Sequence, residues 1–490
     1  MGVVFLLGGV KMKVFVIGTG VVGSLIAREL SKYDIELHIV EKKPDVAWGV
    51  TKANSAILHA GYDDPPESVR AKFCSKGNYL YNKISKELDI EVKRIGSYVV
   101  AFTEEEINTL EKLQKQGEIN GVPDLEIIER KELLSREPNL NPDVLAALWA
   151  PTAGITEPWE VAIAAIENSV ENGATLHLGE EVIGIEVKNG KVKRLITNKA
   201  EYEADVIINA AGLFADEIAK MADSEPVFEI FPRKGEYILL DKKLGNLVNS
   251  VIFPTPTKKS KGILVLPTAD GGLLVGPNAQ DLPPDKKHDL TTTKEGLEEV
   301  KKGATNLVPN IDFWYAVKTF SGLRPETKEK DFIVGKTSVW GFVNAAGMRS
   351  PGLTAAPAVA EYLVEEVLIE ELGISLNKKK DFNPFRKRIP HIDETSVEVW
   401  DELVRENPKY GELVCFCNKV SEAQIVEAIK RGARTLDGVK FRTRAGFGRC
   451  QSGFCSLKII EILSRELGVS MEEIKMNSEN SWIMNGKVRV

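Results

Sequence analysis

Residues 13–42, KVFVIGTGVVGSLIARELSKYDIELHIVEK, decide how the first part of this chain folds. The apolar run over 13–17 is unbroken and ends at Gly18, the pattern of a strand buried on both faces. Apolar residues then recur at helical spacing through VGSLIARELSKY, and a second strand, 36–40, ends at the acidic Glu41. Between strand and helix, Gly18-Thr19-Gly20-Val21-Val22-Gly23 fits G-x-G-x-x-G, with Glu41 18 residues past the last glycine. Glycines at Gly18, Gly20 and Gly23 permit a tight turn and bring backbone, including that of Val22, close to a pyrophosphate at the helix N-terminus. Glu41, beside Lys42, is placed to accept hydrogen bonds from adenosine ribose hydroxyls. The motif alone leaves FAD and NAD both open.

Two later features favour FAD. DVIINAAG (205–212) reads as a further buried strand ending in the small residues Ala211 and Gly212. GMRSPGLT (347–354) then opens a helix more than 300 residues after the first glycine turn. A flavin ring lies far from its adenine, so a late approach of this kind suits FAD. The expected cofactor contacts there are Gly347, Met348, Gly352, Leu353 and Thr354. Thr51, Asn54 and Ser55 are expected along the pyrophosphate and ring, with Val182 as a further contact.

The chain has 490 residues, room for two to four domains. Hydrophobic residues at 43% and charged residues at 28% exclude a disordered or collagen-like chain. A net charge of -7 argues against nucleic acid, whose phosphates demand clustered cations. The apolar run 3–7 is far short of the roughly 18 residues that span a bilayer, and it lacks the charged lead of a secretory signal. A soluble cytoplasmic protein is expected, with Met12 as an alternative start and 1–11 as a dispensable extension.

Periodicity predicts helices over 66–88, 103–120 and 158–172, a strand at 96–102, and a hairpin over 181–197 turning at Asn189-Gly190. Short strands dominate 228–343 around one helix near 293–303, and a helix follows over 355–372. The charged, proline-containing stretch 377–411 reads as a linker or wrapping segment. Beyond it, helices are expected from Ser421 and Ser470, each opening with a capping box, and over 456–467. The expected organisation is a discontinuous Rossmann-type α/β domain (12–95, 150–228, 330–376) with an inserted α+β substrate domain (96–149, 229–329). A linker (377–410), a small helical domain (411–475) and a tail (476–490) complete it.

Five cysteines are too few for a disulfide scaffold, but four fall late: Cys415-Phe416-Cys417 and Cys450-Gln451-Ser452-Gly453-Phe454-Cys455. C-x-C with C-x4-C suits either zinc or an iron–sulfur cluster, and the helical surroundings are unlike the β-rich knuckles of a zinc ribbon. Arg442, Arg444 and Arg449 stand nearby to offset thiolate charge. Cys74 reads as a buried small residue. Among five histidines, His38 and His177 sit in or beside strands, and His288 and His391 in charged loops. His59, in NSAILHAGY directly after the first flavin unit, remains as the base candidate.

Residues 13 to about 372 resemble the FAD-dependent oxidoreductases of the D-amino-acid-oxidase type, nearest to the glycerol-3-phosphate dehydrogenases and oxidases. The segments that carry this are KANSAILHAGYDDPPESVRAKFCSKGN (52–78), APTAGITEPWEVAIA (150–164), FPTPTKKSKGILVLPT (253–268), SGLRPETKEKDFIVG (321–335) and GMRSPGLTAAPA (347–358). NSAILHAG is shared with L-2-hydroxyglutarate oxidases. TLDGVKFRTRAGFGRCQSGFC (435–455) resembles the [2Fe-2S] domain of the bacterioferritin-associated ferredoxin type, which follows the flavin domain in anaerobic glycerol-3-phosphate dehydrogenases. The resemblance implies FAD and a [2Fe-2S] cluster on Cys415, Cys417, Cys450 and Cys455. It places His59 by the flavin, Arg324 on the substrate anion, and Lys261 or its neighbour Lys258 on phosphate. Ser350 would add a hydroxyl, while Arg349 brings an extra positive charge that leaves the exact substrate open.

The expected reaction is oxidation of sn-glycerol 3-phosphate, with electrons passing through the cluster to a protein or quinone-linked acceptor. An electron-accepting partner subunit, and through it a place at a membrane surface, is what the resemblance implies. An L-2-hydroxyglutarate or amino-acid dehydrogenase on the same fold, a non-catalytic electron-transfer subunit and a zinc-stabilised module are the rival readings.

Overall fold

The run Lys13–Ile17 forms β1 in a computed structural model that describes residues 11–257 and 261–486. The chain then passes through helix α1 (Val21–Leu30), β2 (Glu36–Glu41), α2 (Val69–Glu87), α3 (Pro158–Glu171), β3 (Thr175–Leu178) and β4 (Val206–Asn209). Further on come β5 (Phe231–Leu240), β6 (Ala316–Glu326), β7 (Ile333–Lys336), β8 (Phe342–Ala346) and α4 (Gly352–Tyr362). The chain divides into two units. One takes Ala47–Arg386 with the chain before Glu41, and the other takes Glu41–Val46 with Lys387 onward.

In the first unit six strands form a sheet in the order β7-β8-β4-β1-β2-β3. β1 pairs in parallel with both β2 and β4, and β4 with β8, so the doubly wound layer expected from the first glycine motif is present. Its interior is Phe15, Ile17, Ile207, Phe342 and their neighbours, all close to fully buried. Helices must cover both faces of such a sheet, and α1 packs against α3 and α4. Two glycines make the first turn possible. Gly18 has φ +100, and a Cβ there would stand 2.6 Å from the Ala210 carbonyl oxygen. A Cβ on Gly23 would meet the Gly18 oxygen at 2.1 Å, so α1 approaches the strand ends only because that residue is glycine.

A second sheet has nine strands, mostly antiparallel, with β5 and β6 pairing over their whole lengths and Arg233 opposite Arg324, and smaller two- and three-stranded sheets carry the other strands. Its core runs through Val99, Leu148, Tyr237, Phe253 and Leu266. The helix predicted near 293–303 spans Lys294–Leu307 and is N-capped by Thr293, whose hydroxyl accepts from Gly296 N–H at 3.0 Å. The Asn189-Gly190 hairpin turn joins strands Val182–Lys188 and Lys191–Thr197, with both turn residues at positive φ as a type I′ turn requires.

The second unit has its own core, with Val439, Ile425, Ile459, Ile462 and Leu463 at its centre. Helix α5 (Val397–Glu406) lies inside the stretch read as a linker; Ser396 caps it and none of its residues is buried. Then follow α6 (Glu422–Lys430), α7 (Leu436–Thr443) and α8 (Ser456–Leu467). The box Ser421/Gln424 opens α6 as expected, but Ser470/Glu473 opens only a single 3₁₀ turn, Met471–Glu473, not a third helix. Asp45 belongs to this unit, and Arg442 of α7 forks onto its two carboxylate oxygens at 2.6 and 2.7 Å with both side chains buried.

Candidate active site and cysteine cluster

His59 follows the two-residue strand Ile57–Leu58, and its backbone is held from two sides. Its N–H donates to Thr354 Oγ1 of α4 at 2.9 Å, and its carbonyl accepts from Asn78 Nδ2 of α2 at 2.9 Å. α2 and α4 come this close because a Cβ at Gly77 would run into the Thr354 oxygen at 2.1 Å. The ring is thereby left free to reach Ser350, 291 residues on, with Nε2 and Oγ 3.1 Å apart. Burial, and then the nearby Lys261 charge, hold the His59 pKa well below its usual value, so the ring is neutral at pH 7.

Lys261 bonds Asp63 at 2.6 Å. Burial pulls its pKa down, but Asp63 and Asp64 outweigh that and the ammonium is retained. Behind them Asp64 is buried against Arg70 at 3.2 Å, and burial raises its carboxyl. Arg324, on β6, gives Nε to the Arg233 carbonyl at 3.3 Å. Its Nη2 goes to the carbonyls of Lys234 at 3.1 Å and Asn278 at 2.9 Å. Among the described residues no carboxylate lies within ion-pair distance of it. Arg349 by contrast sits 3.2 Å from the buried Glu326, and burial lowers the pKa of both arginines. Lys258 lies outside the described residues.

Some of the residues expected at the dinucleotide meet at the first glycine turn, where Gly18 packs on Ala211 and Gly20 faces Thr51. Gly20 is the N-cap of α1 and provides no capping side chain, and no acidic residue stands in the first turn. Thr51, in the turn Val50–Lys52, accepts from Val21 N–H at 2.9 Å. Such an end, glycine-lined and free of negative charge, fits a pyrophosphate. Gly18 packs against Ala210 and Ala211, and Gly212 (φ +58) has open space where a Cβ would stand. Val22 is buried in α1, and Val182 is buried at the start of its strand. Asn54 instead shapes its own turn, donating to the Val50 and Thr51 carbonyls. Ser55 bonds Tyr237. Glu41 closes β2 and accepts from Lys43 N–H at 2.8 Å; Lys42, between them, is half-buried. Gly347 (φ +65) and Met348 precede the α4 turn, Gly352 opens the helix, Leu353 offers its carbonyl to Tyr81, and Thr354 serves His59. Sequence reasoning missed Asp63, Asn78, Tyr237 and Glu326. Asp63 was in view, four residues past His59, but nothing local names its partner.

In the second unit Cys415 ends the strand Leu413–Cys415 and Cys455 is the N-cap of α8. The sulfurs of Cys415 and Cys417 are 3.7 Å apart. A hydrogen bond with Cys455 draws the Cys415 thiol down to about 5, and burial with the Cys415 charge pushes Cys417 up to about 12. Cys455 is pushed up by the same bond, and Cys450 also faces Cys417. A Cβ on Gly448 would stand 2.5 Å from the Cys417 sulfur. Four thiols crowded so that one thiolate forms at its neighbours' expense call for a cationic group among them, as an iron–sulfur cluster is. Among the described residues no three His, Cys, Asp or Glu side chains form a single-ion site. Arg442 and Arg444, expected to offset thiolate charge, pair with Asp45 and Glu394.

Residues 13–366 match the family model of the FAD dependent oxidoreductases. The chain belongs to that family. FAD is therefore its cofactor, and residues 413–465, the stretch that contains the four late cysteines, match the BFD-like [2Fe-2S] binding domain, which supports a [2Fe-2S] cluster. A glycerol 3-phosphate dehydrogenase of Caloramator mitchellensis is 46% identical over 97% of this chain and 98% of its own. The FAD-bound structure of L-alpha-glycerophosphate oxidase from Mycoplasma pneumoniae superposes with a TM-score of 0.72 at 31% identity, covering 77% of this chain and 99% of that one. An Escherichia coli L-2-hydroxyglutarate dehydrogenase is 33% identical over 54% of this chain and 63% of its own. Among the described residues no helix is long and apolar enough to cross a membrane.

Proposed function

We propose that this oxidoreductase converts sn-glycerol 3-phosphate to dihydroxyacetone phosphate, and that its electrons leave through the cysteine-bound cluster to a protein or quinone-linked acceptor. The observation that carries the reading is an imidazole, His59, paired to a hydroxyl at 3.1 Å and close enough to Lys261 to feel its charge, with Arg349 acting in turn on both Lys261 and Arg324. An anionic alcohol needs that combination: a base for the hydroxyl proton and fixed positive charge for the far end.

In this reading the C2 hydroxyl displaces Ser350 Oγ from His59 Nε2, which takes the hydroxyl proton, and the freed Ser350 hydroxyl turns to the substrate's anion. Thr354 and Asn78 keep the imidazole in place by fixing its backbone. Arg324 turns its unpaired side to the phosphate, with Lys261, Ser350 and Arg349 around it. Gly18, Gly20, Gly23 and the first turn of α1 hold the pyrophosphate of FAD, with Glu41 toward the ribose. Bound FAD supplies the two-electron acceptor, and a [2Fe-2S] cluster on Cys415, Cys417, Cys450 and Cys455 supplies one-electron transfer. The flavin would be held by 12–95, 150–228 and 330–376, the substrate by 96–149 and 229–329, and the cluster by 411–475. A cytoplasmic location, reaching a membrane only through a partner subunit, goes with this reading.

The test is anaerobic mixing of the purified protein with glycerol 3-phosphate. Rapid bleaching of the flavin absorbance followed by cluster bleaching is expected. The Escherichia coli relative supports a second reading, a 2-hydroxy dicarboxylate as substrate. Bleaching by L-2-hydroxyglutarate and not by glycerol 3-phosphate would select it.

A further inference from the structure

The cysteine sulfurs proposed to hold the cluster do not share one environment. Cys415 is buried at the end of its strand, whereas Cys417, two residues on, is exposed. The buried sulfur also receives main-chain donors, since the N–H groups of Asn418 and Gly446 both bond to Cys415. Neither donor is held there by its own segment alone. Asn418 is buried, and its Nδ2 donates to the Arg444 carbonyl at 2.8 Å, which ties the turn after Cys417 to chain 26 residues further on. Arg444 closes α7 in the left-handed region, φ +65, and Gly446 follows at φ +84. A Cβ on Gly446 would stand 2.1 Å from Ser452 Oγ, so this turn packs directly on the stretch between Cys450 and Cys455.

We propose that Asn418 is a positioning residue that sets the reduction potential of the cluster: its side-chain bond to the Arg444 carbonyl holds two backbone N–H groups on the Cys415 sulfur. This rests on the reading of the four cysteines as cluster ligands. Reduction adds one electron to the cluster, and part of that charge falls on the ligand sulfurs. A donor already aimed at a sulfur gains strength as the sulfur becomes more negative, so it favours the reduced form and raises the potential. A raised potential favours electron flow from a reduced flavin into the cluster. Because both donors are main-chain groups, a substitution at Asn418 does not delete them; what its side chain decides is their aim. An amide suits that task. The Arg444 carbonyl can only accept, and the Asn418 Nδ2 has protons to give, where an aspartate would have none.

The experiment is a dithionite titration of the holoprotein, followed by electron paramagnetic resonance of the reduced cluster, with iron and FAD assayed on each sample. In Asn418→Ala the reduction equilibrium constant is expected to fall about tenfold, which is about 59 mV for one electron. The charge-neutral pair Arg444→Gly with Glu394→Gln removes the Arg444–Glu394 ion pair, keeps the carbonyl that Asn418 uses and suits the left-handed turn. It should move the constant by less than about threefold. A fall in that pair as large as in Asn418→Ala would place the effect in charge and overturn the proposal. So would a wild-type constant in Asn418→Ala with its iron retained. A second measurement needs no variant: reduced wild type carrying heavy nitrogen only in asparagine should show a nitrogen coupling to the electron spin in pulsed resonance. Its absence overturns the proposal whether or not Asn418→Ala binds iron, and its presence supports it. Failure of the cysteine reading has a separate signature, full iron content in Cys417→Ser.

Discussion

Replacing His59 with asparagine removes the ring while leaving its surroundings nearly intact, and the expected losses of stability and of rate are of different size. Both backbone bonds of the residue, to Thr354 and from Asn78, survive the substitution. What is lost is one side-chain bond, to Ser350 at 3.1 Å, and the tilted packing of the ring 6.0 Å from Phe253. A neutral hydrogen bond is worth about 1 kcal/mol net, so the fold and the FAD site should persist. A positioned general base contributes 10²–10⁴ in rate, about 2.7–5.4 kcal/mol at 1.36 kcal/mol per decade. The rate of flavin bleaching by glycerol 3-phosphate, measured anaerobically in single turnover, should therefore fall by two to four decades in His59→Asn. FAD content and thermal midpoint should change little. If bleaching slows by less than about threefold while FAD is retained, His59 is not the base.

The pH profile follows from the same ring. Burial chiefly, and Lys261 in addition, lower the His59 pKa, so the acid limb of kcat/KM should lie below about 6.5. In Lys261→Met the burial remains and the charge is gone, so the limb should move to higher pH; a shift the other way would refute that electrostatic account. Arg324→Met should raise KM for glycerol 3-phosphate by about 10² with a smaller fall in kcat, and Arg324→Lys should recover part of it. An unchanged KM would remove Arg324 from the anion site. In the second unit, Asp45→Asn takes away the buried charge that the Arg442 guanidinium forks onto and should cost about 3–5 kcal/mol, read as earlier unfolding of that unit. Asp45→Leu with Arg442→Met should be far milder, and equal damage from both variants would contradict the charge argument. Cys417→Ser should lower the iron content while the flavin band stays, measured by metal analysis and absorbance on one sample. Unchanged iron would remove Cys417 from the cluster ligands.

The strand, glycine turn and helix from 13 to 41 were legible because local constraints agree there: an apolar run, glycines where a Cβ has no room, and a 3.6-residue period. The cysteines were legible because their spacing is itself the signal. The chemistry at His59 was legible only in part. Its residue type and neighbours pointed to a base, but Ser350 lies 291 positions away and only the meeting of α2 and α4 brings the two together. Asp63, Glu326 and the carbonyl partners of Arg324 belong to the same class of long-range contact, invisible to spacing. Helix α5 was missed for another reason. Its apolar residues are interleaved with acids and none becomes buried, so the stretch reads as charged chain while Ser396 and local hydrogen bonds still make a helix.

The bond between Asp45 and Arg442 joins positions 397 apart within one folded unit. The iron–sulfur module is thus not a cassette that ends where its own stretch of sequence begins. A chain stopped at Arg386 would keep the aspartate and lose its guanidinium. A chain begun at Lys387 would keep the guanidinium and lose the carboxylate it forks onto. Gene fusions or swaps that exchange the C-terminal module between flavoproteins would have to carry a six-residue piece from the other end of the gene.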